Sequence, residues 1–438
     1  MKRLPGLVVV VALSLAAASC SSDSDTTDAP ETQAAASETA AATEASATEA
    51  ADTQATGTEA MASETSGTDA VAAPAADCAL SEPLQIAYAA DFDLGGIGDV
   101  PASRAAKFQI DKINKAGGVG GKPVEFKIKQ ISQTPADPAA AQRAVQELVD
   151  GGADILLGPP FSDYGLPILE VTKGEIPVLF VTSTEISLTD PARGSYLVSF
   201  NDKVQASAIA ETALKKGFKT AVTMSSNEIP YLTVNPEAFT SVFTAGGGKV
   251  ERDLSFKLGT TDFSAQVNEI ASMNPQPDAV YSAFFMPEAG VFLKQLRSAG
   301  VKSTVMSADG FDASLIWTAG KDAEGVLFST HTFPDSTNKV QAFLDAYAAS
   351  GGDKIETAAF GALGGDAAIV ATEAAKKACS TKGADIMKAL NDLSVEGVTG
   401  PISYAGTNGT PKRNVTILTV KDGKPVIDSA FYPTNIAK

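Results

Sequence analysis

The sequence predicts an α/β protein with two largely parallel sheets, and three observations lead there. Beyond residue 84, short apolar runs alternate with segments whose apolar residues recur at helical spacing. The strand-like runs are nearly continuous in their apolar character, as strands covered on both faces of a parallel sheet are. Length supplies the third: 361 of the 438 residues follow Asp77, enough for two domains at roughly 100–200 residues each.

The elements follow in order. An apolar run at 84–88 opens the fold, and 100–115 has helical spacing through Ala105, Phe108, Ile110 and Ile113. That helix stops at Gly117 and Gly118, and Gly120-Gly121-Lys122-Pro123 makes a turn. Val124, Phe126 and Ile128 then alternate with Lys127 and Lys129, a strand with one polar face. A helix is expected at 138–151, and Ile155-Leu156-Leu157 forms a buried strand ended by Gly158-Pro159-Pro160. The run at 176–181 is another continuous strand. The alternation continues with helices at 206–216, 236–245 and 263–273 and strands at 220–224 and 279–285.

Residues 1–77 differ in kind. The formal charge of −18 comes from 34 Lys+Arg and 52 Asp+Glu, but twelve acids and no Lys or Arg fall within 21–77. The region after Asp77 carries only −8. All 29 Phe, Trp and Tyr also lie after Asp77, so no packed core precedes it. Built of Ala, Thr, Ser and Glu, the stretch 21–77 is expected to be a disordered tether with a reach of roughly 40 Å. Residues 1–20 read as an export signal, with Lys2 and Arg3 as a basic head and an apolar run at 7–15 too short to span a bilayer. It ends in Ala17-Ala18-Ser19-Cys20, which resembles a bacterial lipobox with Ala17 where Leu is commonest. Lipid attachment at Cys20 would anchor the chain through acyl groups, each buried methylene contributing about 0.8 kcal/mol. An ordinary secretory signal is the alternative. The acidic balance excludes a cationic nucleic-acid binder.

With Cys20 acylated, Cys78 and Cys379 remain, an even pair in an exported chain. A disulfide between them is expected, two buried thiols being the alternative. No Cys/His cluster suggests a metal, and no GxxxxGK[ST] loop suggests a nucleotide, so neither metal nor cofactor is expected. Gly95-Gly96-Ile97-Gly98 follows the first strand but lacks the third glycine of a dinucleotide loop. No GxSxG elbow or HExxH appears, and a nucleophilic site would rest wholly on the single histidine, His331, which reads as structural. An enzyme is therefore not expected. Small polar residues instead follow the strands: Gly158 to Asp163 after one, Thr182-Ser183-Thr184 after the next. Ligands of parallel α/β sheets sit beyond strand carboxyl ends, where such residues cap helices or bind anions. Tyr231 and Asp309 also lie just after strand-like runs.

These pieces together resemble a family. The run Ile113-Asn114-Lys115-Ala116-Gly117-Gly118-Val119-Gly120-Gly121-Lys122-Pro123-Val124 is the most specific. It is followed by Gly158-Pro159 with Ser162, Ile176-Pro177-Val178, Leu188-Thr189-Asp190, Pro277-Asp278, Asp309-Gly310 and Gly397-Val398-Thr399-Gly400-Pro401-Ile402. In this order they resemble the solute-binding proteins of branched-chain amino acid and related ABC importers, which have the type I periplasmic-binding fold.

The resemblance implies two Rossmann-like lobes joined by three crossovers, with a ligand held in a cleft that closes about a hinge. The first lobe would hold 84–200 plus 334–393, the second 201–325 plus 394–438. It further implies that Ser162 with Thr182, Ser183 and Thr184 holds a ligand carboxylate, that Asp309 meets its ammonium and that Tyr231 closes over it. Gly98 would lie at the cleft mouth. Phe285, with Phe284, would wall the side-chain pocket, core packing being the alternative for both. The implied function is capture of a small zwitterionic or carboxylate solute, a branched-chain or other amino acid, for delivery to ABC permease subunits with a cytoplasmic ATPase. The protein would work as a lipid-anchored monomer at the outer face of the cytoplasmic membrane. An extracellular sensor, or a binder of amides, urea or aromatic acids, are the alternatives.

Overall fold

The computed structural model describes residues 78–438 except 94, 134–136, 286, 313 and 337, with 314–318 described by their backbone alone. The export signal, Cys20 and the tether expected within 1–77 lie outside the described residues.

The first lobe is built from β1 (Leu84–Ala90), α1 (Gly96–Lys115), β2 (Val124–Gln130), α2 (Pro138–Asp150), β3 (Ile155–Gly158), α3 (Ser162–Thr172), β4 (Val178–Phe180) and β5 (Ser195–Leu197). The strands form one parallel sheet in the order β2-β1-β3-β4-β5. β3 and β4, the continuous apolar runs, are buried throughout, whereas β2 stands at an edge, with Lys127 and Ile128 exposed and Lys129 half-buried. α2 starts at Pro138 because the Asp137 carboxylate accepts the Ala140 N–H at 3.0 Å. α1 starts four residues before its apolar spacing does, since the glycines at 95–98 wind into its first turn.

The second lobe comprises α4 (Asp202–Lys215), β6 (Thr220–Ser225), α5 (Tyr231–Ala245), β7 (Lys249–Ser255), α6 (Ser264–Ser272), β8 (Ala279–Tyr281), α7 (Glu288–Ser298), β9 (Thr304–Ser307) and β10 (Leu327–Thr330). The chain then returns to the first lobe as α8 (Lys339–Ala349), α9 (Ala358–Ala378) and α10 (Gly383–Asn391), followed by the small pair β11 (Ser394–Glu396) and β12 (Pro401–Ser403). It ends as β13 (Val415–Lys421) and β14 (Lys424–Phe431), a hairpin added antiparallel to β10. The second sheet runs β14-β13-β10-β9-β8-β6-β7, parallel from β10 to β7. Asp422 and Gly423 both take positive φ, 52° and 69°, as a two-residue hairpin turn requires.

Apolar residues cover both faces of each sheet, giving each lobe its own core. Three crossovers join the lobes. Val198 packs in the first core and Phe200 in the second; Phe333 leaves the second and Val340 joins the first. The third crossover lies between Tyr404, buried in the first core, and Val415, buried in the second. It thus falls later than residue 394, because Ile402 and Tyr404 pack under α9 and α10 before the chain leaves.

One buried contact ties two of these crossovers together. Arg413, on the third crossover, donates from Nη1 to the Val198 carbonyl of the first crossover at 2.6 Å and faces Asp366 of α9 at 3.4 Å. Asp366 also accepts the Val398 N–H at 2.6 Å and the Thr399 hydroxyl at 2.5 Å. Burial pushes the Asp366 carboxyl up, and Arg413 opposes that shift. Elsewhere, a disulfide joins Cys78 to Cys379 at the end of α9, with Cα atoms 5.4 Å apart.

α1 and α9 touch backbone to backbone. A Cβ added at Gly364 would lie 2.0 Å from the Ala102 carbonyl oxygen, so only glycine permits the approach. Gly364→Ala is expected to force the helices apart and cost about 1–3 kcal/mol, the usual penalty of overpacking. A thermal or denaturant melt checks this, and an unchanged midpoint would mean the helices separate freely.

Candidate functional site

A cavity of about 710 Å³ opens between the lobes. Its walls come almost wholly from segments following strand carboxyl ends, where helix N-termini and loop N–H groups are free to meet a ligand. The first lobe presents the segment after β1, with Gly98 in the first turn of α1, Phe161 and Ser162 after β3, and Thr182 to Glu185 after β4. The second presents Glu228 and Tyr231 after β6, Phe285 after β8, and Asp309 with Gly310 after β9.

On the first-lobe side, buried carboxylates organise the hydroxyls. Thr182 donates to Asp99 at 3.1 Å, and Asp99 also accepts from the Tyr88 hydroxyl and the Asp91 N–H, each at 2.8 Å. Burial still pushes the Asp99 carboxyl up to about 8 against those three donors. Thr184 donates to Asp202 at 2.6 Å, which Gln205 and Asn235 also reach. Burial, then the charges of Asp309 and Glu185, raise Asp202. A Cβ at Gly98 would lie 3.1 Å from the Thr182 hydroxyl, so a larger residue there would press on this loop.

Asp309 organises the second-lobe side. Its Oδ1 accepts the Tyr231 hydroxyl at 2.8 Å, and that hydroxyl in turn accepts the Gly310 N–H at 2.9 Å. Its Oδ2 meets His331 Nε2 at 3.1 Å. Burial lowers the His331 pKa, with Asp309 opposing, so the neutral ring donates from Nε2. Phe200 stacks on that ring, with centroids 4.1 Å apart. Tyr231 stacks on Phe285 at 4.8 Å, and Phe161 of the first lobe meets Phe285 edge-on at 6.2 Å. The site thus has an aromatic wall, a fixed carboxylate and polar loops.

The comparisons with known proteins bear on this arrangement. A family model described as periplasmic binding protein matches residues 83–425, nearly all of the described chain. The chain belongs to the periplasmic binding protein family. Among its relatives is the Leu/Ile/Val-binding protein BraC3 of Rhizobium johnstonii, 27% identical over 328 residues, which are 73% of this chain and 87% of the relative. A leucine-binding protein from Thermotoga maritima superposes with a TM-score of 0.68 at 27% identity, covering 80% of this chain and 99% of that one. A branched-chain amino acid transporter substrate-binding protein from Streptococcus pneumoniae, in complex with isoleucine, shares the fold with a TM-score of 0.69 at 23% identity, covering 80% and 99%.

In this periplasmic binding protein, the eight residues chosen from sequence all line the one cavity: Gly98, Ser162, Thr182, Ser183 and Thr184 on one lobe, Tyr231, Phe285 and Asp309 on the other. Phe284, the neighbour of Phe285, points away and packs among Phe256, Phe263, Phe292 and Phe311 in the second core. Tyr231 is the first residue of α5 rather than part of a loop, since the helix runs through Pro236. Four participants were not expected. His331, read as structural, meets Asp309; Glu185 lines the cavity and accepts the Ser162 N–H at 3.3 Å; Asp202 holds Thr184; Phe161 supplies the first-lobe ring. Glu185 directly follows Thr184, and its position beside the polar loop was the signal that could have found it.

Proposed function

We propose that this protein is the extracytoplasmic solute-binding component of an ABC importer, closing its two lobes around a small amine-bearing solute of the amino-acid class and delivering it to permease subunits driven by a cytoplasmic ATPase. One observation carries the reading: polar and aromatic groups of both lobes converge on a single cleft of about 710 Å³, so a solute touching both sides has more contacts in a closed state than in an open one. Asp309 accepts the ammonium, Tyr231 and Phe285 cover the solute, and the loops at Ser162 and at 182–184 hold its polar end. The relatives that bind leucine, isoleucine and valine support the class of solute. On this reading the protein is a binder and not a catalyst, works as a monomer, and is held at the outer face of the membrane by lipid on Cys20.

A thermal-shift screen across amino acids, amides and small carboxylates tests the reading. A solute at about one hundred times its dissociation constant should stabilise the fold by about 2.7 kcal/mol. No stabilisation by any member would count against solute capture, and turnover of a member would count against the binder reading.

A further inference from the structure

The cleft is charged in one sense. Its described lining residues include Asp93, Asp163, Glu185, Glu228, Glu288 and Asp309, and among them there is no Lys, Arg or His. Among the described residues, no ion pair reaches Asp163, Glu185, Glu228 or Glu288, since the recorded Lys and Arg pairs all lie elsewhere. Glu288 accepts the Gly259 N–H at 2.6 Å and Glu228 accepts the Leu258 N–H, which fixes the second-lobe rim and leaves both charges facing the cavity.

A neutral amino acid needs donors for its carboxylate as well as an acceptor for its ammonium. Three of the first lobe's donors already serve the chain's own acids, while the Ser183 hydroxyl accepts the Glu185 N–H at 3.2 Å. The Ser162 N–H, which opens α3, donates to Glu185; the Thr182 hydroxyl donates to Asp99 and the Thr184 hydroxyl to Asp202. Glu185 therefore stands at the helix N-terminus where an incoming carboxylate would otherwise settle. Burial, with the charge of Asp163 adding to it, already pushes the Glu185 carboxyl up, so the spot disfavours the further negative charge of an incoming carboxylate. The aromatic wall of Tyr231, Phe285 and Phe161 is the opposite: ring faces attract a cation.

We infer that the cleft selects a solute of net positive charge, an amine whose carboxylate is absent or outweighed by a second cationic group, over a neutral amino acid. This rests on the solute-capture reading and names the charge class of its solute. A cleft lined by one sign of charge also concentrates the opposite sign at its mouth, so such a solute is captured faster.

The test is calorimetry on the full chain with leucine, leucinamide, lysine, 1,4-diaminobutane and benzoate. Leucine and leucinamide share a side chain and differ in the carboxylate alone. Leucinamide should bind at least tenfold tighter than leucine, and lysine against 1,4-diaminobutane tells whether a carboxylate is tolerated once a second cation is present. Glu185→Gln should cost leucinamide tenfold or more and leave leucine unchanged or improved; Asp163→Asn, at an exposed position, should cost cations several-fold if the first variant fails to fold. Leucine binding as tightly as leucinamide, or a Glu185→Gln variant that treats both as before, overturns the proposal. So does binding of leucine or benzoate with no cation bound, and that result leaves solute capture standing. Binding by no member of the panel removes solute capture, and the charge preference with it.

Discussion

Replacing Asp309 by alanine is expected to weaken binding of an amine-bearing solute by tenfold or more. Asp309 is only 5% exposed and faces the cleft, and its carboxylate is held by a hydroxyl on one oxygen and an imidazole on the other. A hydrogen bond between it and an ammonium contributes about 1.5–3 kcal/mol. Truncation also strips the Tyr231 hydroxyl and His331 Nε2 of their partner, so the ring that stacks on Phe285 loses its anchor. Calorimetry reads the loss directly. Asp309→Asn keeps the shape and removes the charge, so it should fall between wild type and alanine. Equal affinity in all three would mean that the ligand's amine lies elsewhere.

The largest effect on stability is expected at Arg413. Arg413→Met leaves the Asp366 carboxylate buried without its cation, a loss of about 3–5 kcal/mol for a broken interior pair. It also frees the Val198 carbonyl, so two of the three crossovers lose their mutual tie. The deficit should depend on pH in a definite sense. Asp366 already has a raised pKa in the folded chain, and without Arg413 it rises further. A carboxyl whose pKa is higher folded than unfolded contributes stability that is full below the unfolded value and is lost as pH rises through the folded one. The variant should therefore be closer to wild type at pH 5 than at pH 8 in denaturant melts. A double replacement, Asp366→Leu with Arg413→Met, should recover part of the loss by removing both charges. A single variant as stable as wild type at pH 8 would mean the pair does not hold the crossovers.

Much of the fold was legible because it follows from local pattern. The unbroken apolar run in β3 requires burial on both faces, and the alternation in β2 marks a strand with one polar face; each is a property of a few adjacent residues. The antiparallel pair β13–β14 was harder to see, since its turn is only Asp422-Gly423 and its partner β10 lies about 90 residues earlier. The site divides in the same way. Ser162 and Thr182 to Thr184 could be found because each follows its own strand. The bonds that set their chemistry could not, because Thr182 reaches back 83 residues to Asp99 and Tyr231 forward 78 to Asp309. His331 looked structural while only its own strand was visible, and it gains a role from a carboxylate 22 residues away.

The disulfide between Cys78 and Cys379 has a mechanical consequence. Tension carried along the chain ahead of Cys78 enters the fold at a covalent junction with the end of α9, six residues before β1 begins. The load is shared with a 21-residue helix packed along α1, so β1 does not bear it alone in the sheet whose strand ends carry the cleft. Pulling on that end would load a sulfur–sulfur bond and a helix as well as β1.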